Sequence, residues 1–419
     1  MGQITIKGKV LKIFPAFRHV NYRYYFAGQF VSFTGSWLQT VAQGWLVFQL
    51  TNSPLMVGVV GTLQFLPLFL FSLIGGVIAD RVNRRGLLLV TQSASLILAF
   101  ALGMLTIFEM VNVWTVAIFA FVSGIVNAVD TPGRQSFTAE LVSRENLPSA
   151  IAINMSTFNS ARIIGPALAG ILIATVGAGG TFIINAFTFL APLIALTLMD
   201  IKSEKIIPKH NALKAIKYGV KFAYTHTLIK NMLLMTIVTS IFGWTFVTLL
   251  PVIAERIFHQ TPFGLGLMYS SLGLGSVFGL VIISAFYSRL NIKNTLLFAN
   301  ILFVIAITLF SLTREFYSGL TFLFFAGMGI STQMALAIST IQNNVENYLR
   351  GRIMSIFNLC NMGMFPIGNF LLGYLAEEVN SPFAIRAGAT VVLVFSIYIF
   401  FTLKREVPEG SYKFSEQPT

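Results

Sequence analysis

The sequence predicts an all-α polytopic membrane protein with about twelve transmembrane helices in two six-helix bundles. Composition is the first reason: of 419 residues 55% are hydrophobic and 10% charged, with a mean hydropathy of +0.78, whereas soluble domains are roughly a quarter charged. The second is run length. A hydrocarbon core about 30 Å thick takes about 20 apolar residues of helix, and the runs here are that long, without the alternating pattern of a β-barrel. The third is that Lys and Arg collect in every second connector.

That alternation also explains the net charge of +13. In a soluble protein it would suggest nucleic acid, but here it follows the connectors, and no nucleic-acid partner is expected. Lys7, Lys9, Lys12, Arg18 and Arg23 precede the first span, Arg81, Arg84 and Arg85 follow the second, and Arg144 follows the fourth. Arg289 and Lys293 follow the eighth, Arg350 and Arg352 the tenth, and Lys404, Arg405 and Lys413 the last. The other connectors carry Arg256, Arg314 and Arg386, balanced by Glu109, Glu255, Glu315, Glu377 and Glu378. The positive-inside rule then predicts both termini in the cytoplasm and an even number of spans.

The first six spans are expected at 24–50, 55–79, 87–108, 112–136, 149–176 and 180–199. The first has no small-residue cleavage site behind its basic leader, so it is expected to serve as its own targeting element. Gln29, Ser32, Ser36, Gln39 and Gln43 form one polar stripe along it. An unpaired amide or hydroxyl in an apolar setting costs about 1–3 kcal/mol, so the stripe should face water, substrate or another helix. Interhelical bonds would use one or two of the five, and a water-filled cavity is the favoured reading. The fourth span repeats the pattern with charges, through Ser123, Asn127, Asp130, Thr131 and Arg134. Midway along the fifth lies Arg162, the deepest charge in the chain. Ionisable groups inside spans are functional candidates, and Arg162 either meets an anionic substrate, pairs with Asp130, or is satisfied by backbone carbonyls.

A Lys-rich segment, 200–230, interleaves Leu213, Ile216, Tyr218, Val220 and Phe222 with Lys214, Lys217 and Lys221, as a helix on the inner leaflet would. The chain is thus divided into a cytoplasmic segment 1–23, a bundle 24–199, the linker 200–230, a second bundle 231–403 and a tail 404–419. The second six spans are expected at 231–252, 264–287, 295–312, 317–342, 353–376 and 384–403. In the seventh, Thr236, Ser240 and Gly243 align beside Trp244; in the eleventh, Asn358, Asn361 and Asn369 share a face with Pro366. Arg81 and Arg289, like Glu140 and Glu346, are offset by about two hundred residues, the trace of a duplicated unit. Paired repeats place a central site between the halves. Polar groups with Phe and Trp around them suit an amphipathic small molecule.

Other chemistries find no support. Cys360 is alone and reads as a small core residue, and His19, His210, His226 and His259 all fall in tails or connectors, so no metal site is expected. Gly273-Leu-Gly275-Ser-Val-Phe-Gly279 lies inside an apolar span, where a dinucleotide-binding unit has no room. No nucleophile constellation or Walker-type loop is present. Neither an enzyme nor a cofactor is expected.

Gly76-Val-Ile-Ala-Asp80-Arg81-Val-Asn-Arg84-Arg85 packs four charges into six residues between the second and third spans. It resembles the loop motif at that position in the major facilitator superfamily of secondary transporters. Asn83 stands where that family often has Gly, and the second-half counterpart, Ser288-Arg289-Leu-Asn-Ile-Lys293, lacks the aspartate. The resemblance implies a cytoplasmic latch complete in one half only. Asp80 would cap the start of the eleventh helix, where the helix dipole favours an anion, and Arg84 would pair with an acid on the fourth helix, matched by Asp130.

In the fifth span, Ala161-x-x-x-Gly165-Pro166-x-x-Ala169-Gly170 looks like a partial form of the superfamily's exporter motif, with Ala in two Gly positions and Asn154 in a third. Small residues let helices approach closely and proline bends them. Asp130-Thr-Pro132-Gly-Arg134-Gln and Arg350-Gly-Arg352-Ile-Met-Ser are similar to the enterobactin-exporter-like, drug-efflux branch, and the resemblance runs from about residue 15 to 403. It implies a monomeric antiporter in a bacterial inner membrane, exporting a siderophore or drug-like molecule against protons, with Asp130 and Glu255 as weak proton-carrying candidates. An importer or facilitator of a metabolite, or a lipid transporter, is the alternative on the same fold.

Overall fold

The computed structural model describes residues 14–200, 221–286 and 291–406, apart from the side chains of Leu73, Asp80, Asn347, Tyr348, Lys404, Arg405 and Glu406. Every regular element among them is helical. A short turn at Pro15–Arg18 leads into α1 (Val20–Thr51), α2 (Pro54–Arg81), α3 (Arg84–Ile107), α4 (Val113–Leu141), α5 (Leu147–Thr188) and α6 (Leu190–Leu198). After the linker come α7 (Thr227–Val238), α8 (Leu250–Arg256), α9 (Pro262–Phe286), α10 (Ile292–Leu312), α11 (Phe316–Asn344), α12 (Asn347–Asn361), α13 (Phe365–Glu378) and α14 (Ser381–Glu406). The inner-leaflet helix expected in the linker falls largely on 201–220, outside the described residues.

Among the described residues, ten helical stretches are long and apolar enough to cross a membrane. α1 is not one of them, although its 32 residues reach about 48 Å; its glutamines and serines lower its hydropathy. The stretch Leu147–Leu198 has 52 residues, too many for one crossing. It turns back at Gly177, whose φ of 73° lies in the region that favours glycine, in the gap left between the fifth and sixth expected spans. The seventh and eleventh spans are each broken at mid-length. Between α7 and α8 the chain makes a π turn (Thr239–Gly243) and a 3-10 turn (Trp244–Leu249), and between α12 and α13 a 3-10 turn (Met362–Met364) precedes Pro366. The π turn shifts the register of Trp244, which lies just beyond it, relative to Thr236 and Ser240.

Side-chain oxygens start the helices by accepting from amide groups that have no partner in the first turn. Ser53 caps α2, Asn83 α3, Asn112 α4 and Asn291 α10. Asn83 and Asn291 begin the third helix of each half, a structural counterpart of the sequence repeat. Glu315 caps α11; hydrogen bonds from Ser318 and the Tyr317 amide hold its carboxyl below the ordinary range.

Packing sorts the helices into two groups. α1, α3 and α6 lie against α5 or one another and α2 against α4; in the second half α11 packs on α9 and α10, and α14 on α10 and α13. Aromatic rings fill both groups, with Tyr25 against Phe137 in the first and Phe258 between Phe310 and Phe316 in the second. Small residues set the spacing: a Cβ on Gly165 would lie 2.5 Å from Trp37 Cβ and 2.9 Å from the Thr34 carbonyl. Gly165→Val should therefore cost about 1–3 kcal/mol through overpacking, read as a fall of several degrees in the melting temperature of the purified protein. An unchanged melting temperature would contradict this contact of α5 with α1.

Candidate functional site

The two groups touch along two seams, α2 with α13 and α5 with α9. Both seams begin at the end of the molecule away from the chain termini, here the far end. There Glu377 accepts from Ser53 Oγ (2.8 Å) and the Leu55 amide (3.2 Å), and Arg256 donates to the carbonyl and side chain of Asn52 while lying over the Phe48 ring. An acid and a base of the second half thus hold the α1–α2 turn of the first. Deeper in, a Cβ on Gly58 would meet the Asn369 carbonyl at 2.5 Å, Thr62 donates to the Pro366 carbonyl, and Phe65 meets Phe365 edge-on. On the other seam Gly170 lies against Pro262 and Phe263, Gly266 against the Pro166 carbonyl, and Ser270 donates to the Ile163 carbonyl.

Contact then fades toward the terminal end. Of the close approaches made by glycines among the described residues, those nearest the terminal end are Gly363 to Phe69 and Gly273 to the Arg162 carbonyl. Beyond them a Cβ on Gly76 would meet nothing within 4 Å, and Ile151, Met155 and Phe158 are exposed along one face of α5. Among the described residues the halves thus part toward the terminal end, leaving a cleft between them with Arg162 near its apex.

Arg162 is half-buried, and its guanidinium carbon lies 4.3 Å above the centre of the Trp244 ring. The contact joins α5 of the first half to the broken segment of the second. Among the described residues no acid pairs with Arg162, and its buried Nη2 has no hydrogen-bond partner. The alternative pairing with Asp130 is not formed. Four residues before Trp244, Ser240 Oγ accepts from Asn361 at 3.4 Å, whereas Asn358 is exposed and Asn369 accepts from Thr248. The 3-10 turn between Asn361 and Asn369 separates residues that were expected to share a face.

The polar stripe of α1 requires a larger correction. Gln29 accepts from Arg134 on α4, Gln43 donates to Gln64 on α2 (3.3 Å), and Gln39 accepts from Asn185 on α5 (2.5 Å). Ser36 donates to the Ser32 carbonyl, and Ser32 itself is fully buried. Three of the five are bonded to other helices, more than the one or two expected, because an amide at that depth gains most from a fixed partner. Ser36 and Gln39 remain half-exposed. The sequence reading missed Asn185, a lone amide in an otherwise apolar run.

Asp130 is also held. Its Oδ1 accepts from Thr91 (2.6 Å) and Gln92 (2.9 Å), its Oδ2 from Arg134, and Arg134 lies over the Phe33 ring. Asn127, one turn earlier, is exposed. The expected partner of Asp130, Arg84, instead pairs with Glu140 near the end of α4. Residues 84 and 140 sit at the start of α3 and the end of α4, on one level, whereas Asp130 lies almost three turns deeper in α4. Arg85 donates to the Thr197 carbonyl and Arg81 is exposed at the end of α2. The cap expected from Asp80 on the eleventh helix lies outside the described residues.

A family model described as transmembrane secretion effector matches residues 12–417. The staphyloferrin A transporter of Staphylococcus aureus is 25% identical over 400 residues, covering 94% of this chain and 100% of that one. The enterobactin exporter EntS of Escherichia coli O1:K1 is 24% identical over 397 residues, covering 94% and 93%. Among solved structures, a bacterial homolog of the human lysosomal transporter Spinster, inward-facing and unoccupied, superposes with a TM-score of 0.75 at 13% identity, covering 95% of this chain and 99% of that one. A POT family transporter in complex with 5-aminolevulinic acid gives 0.73 at 13% identity, covering 93% and 97%. At these identities the two structures establish a shared fold.

Two outcomes are expected of this geometry. A double-mutant cycle on Arg84 and Glu140 in thermal unfolding should show coupling of about 1 kcal/mol or more, and one on Arg84 and Asp130 none; the opposite ranking would restore the original pairing. Replacing both Glu377 and Arg256 with Ala should loosen the far end, seen as faster hydrogen exchange over residues 52–58. Unchanged protection there would show that the seams close without them.

Proposed function

The chain belongs to the transmembrane secretion effector family of the major facilitator superfamily, and on that premise we propose that it exports an amphipathic small molecule by alternating access. The observation that carries this reading is the cleft itself, closed at one end by contacts between the halves and open at the other, with Arg162 and Trp244 where the walls meet. Substrate enters from the open end, and the halves then rock about the site until the far end parts. We count twelve crossings, adding α1 to the ten apolar stretches and dividing the one that turns back at Gly177. The excess of Arg at the terminal end puts that end, and both termini, in the cytoplasm. The membrane is a bacterial inner membrane, and the unit of transport is one chain.

The cargo we infer is siderophore-like or drug-like, in keeping with the names of the relatives. Ile151, Met155 and Phe158 offer it an apolar wall; Ser36, Gln39, Asn127, Ser240, Asn358 and Asn361 are the polar groups in reach of a molecule that fills the cleft. Gly165, Pro166 and Gly170 keep α5 close to α1 and α9 while the halves move. The latch from Gly76 to Arg85 acts in the opposite state: Gly76 faces open space here, and closing the cytoplasmic end would bring α2 against the eleventh span. The proton-motive force supplies the energy. Asp130, the acid within the fourth span, is tied to Arg134, Thr91 and Gln92.

Inside-out vesicles from cells expressing the protein should accumulate the exported compound, first identified by comparing culture media of deletion and overexpressing strains. Uptake confined to right-side-out vesicles would make the protein an importer. In the same assay Arg162→Ala should lower transport at least about tenfold, at normal expression, and full activity would remove Arg162 from the site.

A further inference from the structure

We propose that the cleft apex is an oxyanion site built from both halves, in which Arg162 holds a carboxylate in the plane of its guanidinium while Trp244 covers its face, and that the membrane potential acts on the anion so carried. The proposal deepens the export reading and rests on it for direction only.

Two half-buried arginines inside spans of the first half differ. Arg134 is matched by Asp130, Gln29 and the Phe33 ring. Arg162 has the Trp244 ring, no acid among the described residues, and a buried Nη2 with no partner. A charge at that depth is costly, and a buried donor without a partner adds to the cost. A cation over an indole ring is held by the ring face and leaves its hydrogen-bond donors in need of acceptors. The guanidinium presents its N–H groups as a planar fork that fits the two oxygens of a carboxylate, and at Arg162 one arm of that fork, Nη2, lacks an acceptor.

The surroundings narrow the ligand. Trp244 opens the 3-10 turn of the second half, four residues after Ser240, which is bonded to Asn361, so a ligand on Arg162 touches both halves. Ile151, Met155 and Phe158 line the same face of α5 between Arg162 and the open end. A carboxylate or similar planar oxyanion on an apolar or aromatic body meets both features; a cation meets neither.

The charge also bears on the energy source. Arg162 stays with the protein, so the substrate's negative charge crosses the membrane. An inside-negative potential of 100 mV then favours the outside by about 50-fold for each charge. Export needs no carboxylate in the cleft to shuttle a proton, which accords with Asp130 being fully engaged.

The test uses the full chain with Trp37, Trp45 and Trp114 replaced by Phe, so that Trp244 reports alone. Benzoate and citrate should change its emission saturably, and the uncharged isostere benzamide should not. Arg162→Gln should weaken the response at least about tenfold, and Arg162→Lys, which keeps the charge and controls for folding, should retain part of it. The proposal is overturned if neither carboxylate acts, if benzamide acts equally, or if Arg162→Gln responds as the parent does. The carboxylate with the larger response, radiolabelled, is then loaded into proteoliposomes with potassium and valinomycin. An inside-negative potential should speed its protein-dependent release and an inside-positive one slow it; release indifferent to voltage overturns the electrical part. A carboxylate response without uptake into inside-out vesicles would sink the export reading alone, and export without a carboxylate response would sink this proposal alone.

Discussion

The contact between the halves is confined to one end, and the rest of the structure depends on that restriction. Helices in lipid gain little from burying apolar surface against one another, since the tails around them are equally apolar; close backbone approach and hydrogen bonds hold them together instead. Both are concentrated at the far end here. Gly58 brings α2 to the backbone of α13, Gly170 and Gly266 join α5 to α9, and Thr62 and Ser270 each donate to a carbonyl of the other half. Glu377 and Arg256 finish the seal on the α1–α2 turn. With nothing equivalent at the terminal end among the described residues, the halves part there.

This arrangement divides the buried polar groups by role. Within the first half Asp130, Arg134, Gln29, Thr91 and Gln92 are bonded in one network, which stiffens that half. At the boundary Arg162 is left incomplete. An unsatisfied charge is tolerated where binding completes it, and its place at the apex means that whatever binds there feels both halves. The broken backbone of the seventh and eleventh spans belongs to the same logic, because irregular backbone at membrane depth is acceptable only where protein or a cavity surrounds it.

Much of this was legible in the sequence. Run length and charge alternation located the helices, and the turn at Gly177 fell in the expected gap. Arg162 stood out because a charge amid apolar residues has no local explanation. Partnerships were harder to read. Arg84 could be assigned to Asp130 but not to Glu140, since sequence does not show how deep each residue sits when two helices are packed side by side. The α1 stripe looked like a cavity wall because its period is visible, whereas the partners Gln64, Arg134 and Asn185 lie on three other helices. Glu377 and Arg256 read only as connector charges; their grip on residues 52–55 arises from closure of the far end, a property of one conformation.

The central claim, that the halves are closed at the far end in this state and rock about an apex at Arg162, is tested most directly by paired spin-label distances. Labels would be placed at Ser72 and Ser355 across the terminal end, and at Leu50 and Val379 across the far end, with Cys360 replaced by Ser. The protein alone should give a long, broad distance for the first pair and a short, sharp one for the second, and conditions that populate the other state should reverse both together. A short first distance in the resting protein, or two distances that lengthen and shorten in step, would contradict the account.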